Sequence, residues 1–351
     1  MLLDHAALLL GDIGGTTARF AWLTQSGVGP VEHLTAHSYA TFADALLQFL
    51  RRHGAGVHPA AAAFAVAGVV TDQRCALTNS PWIIDSAELT AKLGLTRVHL
   101  VNDFEAIAWS LPHLGRADLH ALGGSRPGLT DAPVAVLGPG TGLGVAALVP
   151  SGERAIVLAS EGGHSTLPSA SSREDRVIER LRAQFGHVSS ERVLSGPGLE
   201  NLYRAIASID GVSVPERSVA DITQAAISGA CPVSKAALDM FCATLGGVAG
   251  NIALTFGARG GVFIAGGIVP RIADYVASSQ FRARFEAKGR FRSYLEAIPV
   301  DVVLNTDAAF IGLRSLAAQF SASPRPTASI ISMASSSVAT RWAEDRQSAS
   351  R

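Results

Sequence analysis

Apolar and polar positions alternate along this chain with two different periods, and together the two periods predict a mixed α/β fold. Short apolar runs that end at turn-forming residues are typical of buried strands. Apolar residues repeated every three or four positions predict amphipathic helices between those runs. After a first strand that ends at Asp12, the predicted strands span 18–24, 62–67, 97–101, 134–137, 143–148, 155–158, 261–264 and 300–304. The predicted helices span 42–50, 86–93, 104–111, 172–185, 234–256 and 308–320.

Capping residues mark the ends of several predicted helices. Ser172 and Asp175 fit a capping box at the start of the helix at 172–185, and Gly186 ends that helix. Gly94 follows the helix at 86–93, and Pro112 stops the helix that begins after Asp103. These residues agree with the helix periods around them.

A glycine-rich turn connects the first predicted strand to the second. Its residues are Gly11, Asp12, Ile13, Gly14, Gly15 and Thr16. Glycines let backbone amides approach a ligand closely, and a turn rich in such amides binds phosphate oxygens. The Walker loop is excluded because no lysine is present, and the dinucleotide fingerprint is excluded because a strand follows rather than a helix. Asp12 is a candidate to hold Mg²⁺ through water. The alternative is a glycine-rich hairpin without a ligand.

A second hairpin of the same kind begins the later half of the chain. Gly140, Thr141 and Gly142 lie between the strands predicted at 134–137 and 143–148. Two such hairpins imply two similar α/β halves that face one cleft, and the repetition favours phosphate binding over an empty turn. A third glycine turn, at Gly266 and Gly267, follows the strand at 261–264 and would allow an adenine ring to lie against the backbone.

Asn102 and Asp103 come directly after the strand predicted at 97–101. Ligands of open α/β sheets collect outside the carboxyl ends of the strands, so Asp103 is a candidate catalytic base. Aspartate is also a common helix N-cap, and one residue can serve both roles. The sequence leaves this choice open.

Other polar residues are less informative when each is taken alone. Glu161 and His164 follow the strand at 155–158, but a single histidine is more often structural than a ligand. Glu191 lies in a predicted loop, where a surface or capping role is the ordinary interpretation. Asn79 and Trp82 are interpreted as a turn residue and a core residue rather than as pocket residues.

Composition narrows the class of protein. With 351 residues, 48% of them hydrophobic, and 35 glycines, the chain is long enough for two domains and a large core. The formal net charge is zero, so no basic surface for nucleic acid or an anionic membrane is expected. Three scattered cysteines suit neither a disulfide framework nor a zinc site, which predicts a cytoplasmic protein.

Three segments need separate interpretations. The first residues lack the positive region of a signal peptide, so none is expected. The apolar run 240–256 contains Asn251 and three glycines, which favours a buried core helix over a membrane span. Residues 321–351 are rich in serine, alanine, proline and arginine and show no core pattern, so they are predicted to be a disordered tail.

Six blocks of the sequence resemble bacterial ATP-dependent glucokinases, in the order found in that family. The blocks are GDIGGT, VNDFEA, GPGTGLG, EGGH, HVSSERVLSGPGLENLYRAI and GGVFIAGGIVPR, within residues 8–320. The resemblance implies a two-domain, actin-like fold of the ribonuclease-H-like type. Its small domain would hold residues 1–112 and 305–320, and its large domain residues 113–304. It also implies a homodimer that phosphorylates the 6-hydroxyl of glucose with MgATP, at the entry to glycolysis.

The resemblance also implies roles for individual residues. The aspartate of the VNDF motif, here Asp103, would be the catalytic base. The two phosphate motifs would fall on residues 12–16 and 140–142. The sugar contacts would be Asn102, Asp103, Glu161, His164 and Glu191. Thr17, where the family often has asparagine, and Ser160, which replaces a frequent glycine, depart from the pattern without removing a catalytic group.

Three alternatives remain at this point. The first is a kinase of the same fold that acts on fructose or mannose. The second is a sugar kinase or repressor of the repressor/ORF/kinase family, which is disfavoured because its cysteine-rich zinc motif is missing and no DNA-binding motif precedes Leu8. The third is a non-catalytic sugar or nucleotide sensor, which is disfavoured because Asp103 is present.

Overall fold

Fourteen strands form three sheets in the computed structural model, which describes residues 8–53, 59–152 and 154–321. In chain order the strands are β1 (Leu8–Ile13), β2 (Thr17–Thr24), β3 (Gly27–Val28), β4 (Glu32–Thr35), β5 (Ala61–Val66), β6 (Arg74–Ala76), β7 (Ile83–Asp85), β8 (Arg97–Asn102), β9 (Leu119–Gly123), β10 (Val134–Pro139), β11 (Leu143–Ser151), β12 (Arg154–Ser160), β13 (Gly261–Ile264) and β14 (Val300–Val303).

Eleven α-helices connect these strands within the described residues. They are α1 (Phe42–His53), α2 (Ser86–Leu93), α3 (Asp103–Ser110), α4 (Ser172–Phe185), α5 (Gly196–Asp210), α6 (Val219–Ile227), α7 (Pro232–Phe256), α8 (Ala273–Ser278), α9 (Phe281–Glu286), α10 (Arg292–Glu296) and α11 (Ala308–Ser321). The mixed α/β class predicted from the hydrophobic periods is therefore confirmed.

The two larger sheets share one pairing scheme. In the first sheet β1 pairs antiparallel with β2, and β1, β5 and β8 run parallel. In the second sheet β10 pairs antiparallel with β11, and β10, β13 and β14 run parallel. Each sheet thus has an antiparallel hairpin beside a parallel block. Strand pairing does not test what the hairpins bind, so a duplicated phosphate motif stays a prediction.

Each larger sheet has its own hydrophobic core. Phe20, Phe42, Phe49 and Phe64 pack in one buried aromatic cluster beneath the first sheet. Trp82 belongs to this core, and its indole N–H donates to the Tyr39 carbonyl oxygen at 3.2 Å, as expected for a core residue. A larger core surrounds α7 beneath the second sheet.

Helix α7 is the one described helix that is long and apolar enough to cross a membrane, and 67% of its apolar window is buried within the protein. It packs against β10 and β13. This burial is typical of a core helix, because a membrane span presents its apolar side chains to lipid rather than to other elements.

Helix α4 has the predicted bounds, 172–185, but its N-cap is not the predicted residue. Gly94 ends α2 with φ of 65°, as expected. The N-cap of α4 is Ser171, whose hydroxyl accepts a hydrogen bond from the Glu174 amide at 3.3 Å. The capping box predicted at Ser172 and Asp175 is therefore wrong. Asp175 instead accepts a hydrogen bond from Ser169.

The proposed division into two domains stays a prediction, because the described residues up to Leu316 form one compact unit and strand order alone does not separate domains. Residues 322–351, which make up nearly all of the predicted disordered tail, lie outside the described residues. Between the two larger sheets lies α3, which contacts strands of both.

Candidate active site

Asp103 is the first residue of α3 and follows β8 directly, as the sequence predicts. The N-cap of α3 is Asn102, whose side-chain oxygen accepts hydrogen bonds from the amides of Phe104 at 2.9 Å and Glu105 at 3.4 Å. Asn102 also donates to the Gly68 carbonyl oxygen at 3.2 Å. Helix capping therefore does not explain the presence of Asp103.

The pKa of the Asp103 carboxyl is raised from 3.8 to about 7. Burial of this side chain is the largest cause, because it disfavours the charged form, and the negative charge of Asp12 raises the pKa further. A hydrogen bond from the Phe104 amide acts in the opposite direction, and the charge of Glu161 makes a smaller upward contribution. A carboxyl group with this pKa can both accept and release a proton near neutral pH.

Arg19 holds the carboxylate of Asp12 in the first hairpin. The two residues are directly opposite each other in the β1–β2 pairing, and Arg19 donates to Asp12 Oδ2 from Nε at 2.9 Å and also from Nη2. The same guanidinium donates to the Thr306 carbonyl oxygen at 2.7 Å and lies 3.4 Å from Asp307 Oδ1. Sequence reasoning missed Arg19, although its position opposite Asp12 in a predicted hairpin was a usable signal.

The tip of the first hairpin packs against the turn that contains Asn79. A Cβ atom added at Gly15 would lie 2.8 Å from the Cβ atom of Asn79 and 3.0 Å from its carbonyl oxygen. A side chain at position 15 would therefore separate these two turns. At Gly14 the nearest such atom, the Thr17 carbonyl oxygen, is 3.4 Å away.

Glu161, His164 and Glu191 lie side by side beyond the second sheet. Glu161 Oε2 is 3.7 Å from His164 Nε2, and His164 Nδ1 is 3.7 Å from Glu191 Oε1. Their side chains are 55%, 59% and 31% exposed, so a ligand can reach all three. At 3.7 Å these pairs are too far apart for direct hydrogen bonds, which leaves the polar atoms available to a ligand.

A short local structure orients Glu161 and His164. The hydroxyl of Ser160 accepts a hydrogen bond from the Gly162 amide at 2.9 Å, directly before the single 3₁₀ turn Gly162–His164. The departure of Ser160 from the family pattern thus has a structural role, because its hydroxyl turns the chain at the end of β12.

The second hairpin contacts the same group of side chains. Glu191 Oε2 accepts a hydrogen bond from the Leu143 amide at 2.9 Å. A Cβ atom at Gly142 would lie 2.5 Å from that carboxylate oxygen. On the other side of the turn, the Gly140 carbonyl oxygen accepts a hydrogen bond from the Gly196 amide at 2.8 Å.

The third glycine turn lies beside the second hairpin. Gly266 has φ of 89°, and a Cβ atom there would lie 2.5 Å from the Pro139 carbonyl oxygen, so the chain can pass so close to β10 only with glycine. A Cβ atom on Gly140 would have the Gly267 amide as its nearest neighbour, at 3.9 Å. The structure therefore brings the second and third glycine turns together.

The carboxylate of Asp12 fits a magnesium ion that is also bound by the phosphates of a nucleotide. No group of three or more histidine, cysteine, aspartate or glutamate side chains suited to a metal occurs among the described residues. Mg²⁺ is usually held by one or two carboxylates, water and substrate phosphates rather than by an all-protein cage. Both described bonds from Arg19 go to Asp12 Oδ2, which leaves Oδ1 for water or a metal.

The glucokinase family model matches residues 9–320 of the chain. The chain belongs to the glucokinase family. It is 50% identical to the glucokinase of Paramagnetospirillum magneticum over 314 residues, which cover 88% of this chain and 97% of that protein. It is 46% identical to the glucokinase of Nitrobacter hamburgensis over 311 residues, with 89% and 97% covered. The resemblance based on the six sequence blocks is confirmed.

Solved structures of glucokinase family members and related sugar kinases share the fold. A crystal structure of glucokinase from an Antarctic psychrotroph matches with a TM-score of 0.80 and 32% identity, covering 90% of this chain and all of that one. A ROK family glucokinase from Streptomyces griseus, solved in complex with glucose and AMPPNP, matches with a TM-score of 0.60 and 20% identity, covering 90% and 100%. At 20% identity, the similarity to the Streptomyces griseus protein shows a shared fold and nothing more.

The residues predicted for catalysis and binding thus fall in connected groups. The charges of Asp12 and Glu161 both raise the pKa of Asp103, in addition to the larger effect of burial. Glu161 lies beside His164, and His164 lies beside Glu191. Glu191 in turn contacts the second hairpin. The roles assigned to these residues stay predictions.

Proposed function

We propose that this protein transfers the γ-phosphoryl group of MgATP to the 6-hydroxyl of glucose and so produces glucose 6-phosphate for glycolysis. The observation that carries the proposal is the buried carboxyl group of Asp103 at the start of α3, whose pKa is raised to about 7 mainly by burial and further by the charges of Asp12 and Glu161. Membership in the glucokinase family supports it.

Asp103 is the proposed base in this reaction. A sugar hydroxyl is a weak nucleophile, so a carboxylate that removes its proton while the bond to phosphorus forms accelerates the transfer by typically 10²–10⁴-fold. The burial that raises the pKa of Asp103 also makes its ionised form a stronger base than an exposed aspartate. Asn102 holds the start of α3 in place beside it.

Glu161, His164 and Glu191 are the proposed sugar ligands together with Asn102 and Asp103. Carboxylate and imidazole groups that are not consumed by bonds to each other can bind the hydroxyls of a pyranose. A site built to bond hydroxyls discriminates strongly against sugars that lack them, because its polar groups are then left without partners. The side-chain amide of Asn102 donates one N–H to the Gly68 carbonyl oxygen, and its second N–H would donate to the sugar.

The glycine turns are the proposed nucleotide site. The phosphates would lie against the amides of Gly11, Ile13, Gly14, Gly15 and Thr16 and of Gly140, Thr141 and Gly142, and the adenine ring against Gly266 and Gly267. Bound Mg²⁺ supplies the neutralisation of phosphate charge that phosphoryl transfer requires. Asp12, which is oriented by Arg19, would bind the water molecules around the magnesium ion.

The proposal also includes the domain structure, the location and the assembly of the protein. We place this activity in a two-domain, actin-like fold with residues 1–112 and 305–320 in one domain and 113–304 in the other. The protein would act as a cytoplasmic homodimer, with glucose and ATP as its ligands and without a nucleic acid or membrane partner.

A coupled assay of ADP release tests the proposal. Glucose, fructose, mannose and a no-sugar control would each be measured with and without Mg²⁺, on the wild type and on the Asp103→Asn variant. Glucose should give the fastest release, and the reaction should require Mg²⁺ and Asp103. ADP release that does not depend on an added hexose would overturn the kinase assignment, and a preference for another hexose would correct the substrate.

A further inference from the structure

The two carboxylate oxygens of Glu191 face two different parts of the proposed site. Oε1 lies 3.7 Å from Nδ1 of His164, on the side of the proposed sugar ligands. Oε2 accepts the hydrogen bond from the Leu143 amide at 2.9 Å, directly after the turn of the second hairpin. One side chain therefore touches the proposed sugar site and the proposed phosphate site.

The contact with the hairpin depends on glycine at position 142. A methyl group there would lie 2.5 Å from Glu191 Oε2 and 3.3 Å from the carboxylate carbon. The obstructed atoms are the flexible end of a side chain, so the carboxylate rather than the backbone would move. Glu191 can bond the Leu143 amide only when residue 142 has no side chain.

The segment that carries Glu191 is also fixed to the hairpin at a second point. The Ser195 hydroxyl donates to the Glu191 carbonyl oxygen at 2.8 Å, and the next residue, Gly196, donates its amide to the Gly140 carbonyl oxygen at 2.8 Å. Residues 191–196 therefore contact both sides of the turn, through Glu191 at Leu143 and through Gly196 at Gly140. A change in the position of Glu191 is transmitted to that turn through two hydrogen bonds.

We propose that Glu191 couples the binding of sugar to the binding of nucleotide. A sugar hydroxyl that bonds Oε1 fixes the carboxylate, and the fixed carboxylate then holds the Leu143 amide and the turn at Gly140–Gly142 in the geometry that receives phosphate. This inference rests on the proposed function. Because coupling between two ligands is reciprocal, nucleotide must tighten sugar binding by the same factor.

A hairpin variant measured without nucleotide gives the first test. Gly142→Ala should raise the Kd of glucose, measured by calorimetry, by roughly tenfold or more, as expected for a carboxylate moved out of hydrogen-bonding position. Gly247→Ala, on α7 and outside the proposed site, is the control, because its methyl group would have no atom nearer than 3.7 Å. In that variant the Kd of glucose should stay within about twofold of the wild type. Neither position has the positive φ that would strain alanine.

A pair of acidic-residue variants gives the second test. Glu191→Ala and Glu161→Ala each remove a carboxylate beside His164, but only Glu191 contacts the hairpin. The Kd of AMPPNP with Mg²⁺ would be measured without glucose and with saturating glucose. Typical coupling factors are about 5- to 150-fold. The wild type and Glu161→Ala should keep the coupling factor, whereas Glu191→Ala should reduce it to about one. Glu191→Gln should recover part of it, since an amide oxygen still accepts from Leu143.

The outcomes separate this inference from the proposed function. If the wild type binds glucose but Gly142→Ala binds it equally well, or if Glu191→Ala keeps the full coupling factor, the inference is wrong. If the wild type neither binds glucose nor releases ADP with it, the proposed function fails instead. Circular dichroism would confirm that each variant is folded, and should Gly142→Ala not fold, the two acidic-residue variants decide the question.

Discussion

At the scale of single residues, Asn102 and Asp103 divide two tasks that the sequence could not separate. Both residues are good N-caps; Asn102 is the last residue of β8, and Asp103 follows it directly. The backbone decides between them, since Asn102 has the extended dihedrals of an N-cap, with φ of −63° and ψ of 150°, and Asp103 already belongs to the helix. The position of the pair was predictable from the strand pattern, whereas the division of roles needed the dihedral angles.

Replacing Asp103 by asparagine should slow the chemical step without abolishing glucose binding. Asn102 still caps α3, and asparagine keeps the size and hydrogen-bonding capacity of the side chain while removing the base. We expect kcat to fall by roughly 10²-fold or more, with glucose still bound in calorimetry. Near-normal turnover in steady-state kinetics would remove Asp103 from the role of base.

The raised pKa of Asp103 predicts a pH profile for activity. Below pH 7 the carboxyl is increasingly protonated and cannot accept the proton of the sugar hydroxyl, so kcat/KM should fall with decreasing pH around an apparent pKa of about 7. A profile that stays flat down to pH 5 would contradict this prediction.

The same pKa predicts how stability depends on pH. The native pKa of about 7 lies above the ordinary value of 3.8, so between these values the folded state binds the proton more strongly. This contribution is fully present below pH 3.8 and is lost as pH rises to about 7. The melting temperature of Asp103→Asn relative to wild type should therefore increase from pH 4 to pH 8. A constant difference across this range would contradict the prediction.

At the scale of elements, α3 is a helix that contacts both larger sheets. It contacts β5 and β8 of the first sheet and β10, β11 and β12 of the second. The ring of Phe104, next to the proposed base, occupies the space above Gly138 and Gly144, which are paired in the β10–β11 hairpin. The glycine motif of the second hairpin thus has a packing role besides any contact with phosphate.

Adding a methyl group at Gly144 should disturb both stability and catalysis. It would overlap the Phe104 ring, and overpacking of this kind costs about 1–3 kcal/mol. Gly144→Ala should therefore melt at a lower temperature and turn over glucose more slowly. In the double variant with Phe104→Leu, the smaller side chain should restore part of the melting temperature. Equal stabilities of Gly144→Ala and wild type would show that the ring is not confined.

Elements were predictable where the hydrophobic period was regular and less so where glycine and proline obscured it. The hairpins, the parallel strands and α7 follow from their apolar runs. Helix α5 begins with Gly196, Pro197 and Gly198, a sequence typical of a loop, yet Ser195 caps it and proline is tolerated in a first turn that needs no amide donor. The contact of Arg19 with Asp12 could be inferred from the predicted hairpin, but its contacts with residues 306 and 307 could not, because these lie 287 and 288 residues away.

At the scale of the whole molecule, the proposed ligands come from both larger sheets. Asp12, Asn102 and Asp103 belong to or follow strands of the first sheet, whereas Glu161 follows β12 of the second. His164 and Glu191 lie in 3₁₀ turns further along the chain. The position at the end of a parallel strand pointed to Asn102 and Asp103, whereas only the resemblance to the glucokinase family grouped Glu161, His164 and Glu191 with them. The sequence could not supply their distances.

Glucose should draw the two halves together, because the proposed sugar ligands come from both, as closing domains generally do around a substrate. Small-angle scattering with saturating glucose should give a smaller radius of gyration, and hydrogen exchange should slow at residues 161–164 and 191. Galactose at the same concentration is the control sugar. Unchanged scattering and unchanged exchange in the presence of bound glucose would count against closure.

The guanidinium of Arg19 has a consequence for the order in which the enzyme is assembled during translation. It joins the first hairpin to Thr306 and Asp307, which are made 287 and 288 residues after Arg19. Helix α11 then crosses α3 so closely at Gly312 that a methyl group there would strike the Ala106 carbonyl oxygen. A nascent chain on the ribosome therefore lacks these contacts, which support Asp12 and the helix of Asp103, until residues 306–312 have emerged. The first hairpin, which is proposed to bind phosphate, is therefore made long before its contact with residues 306 and 307 can form.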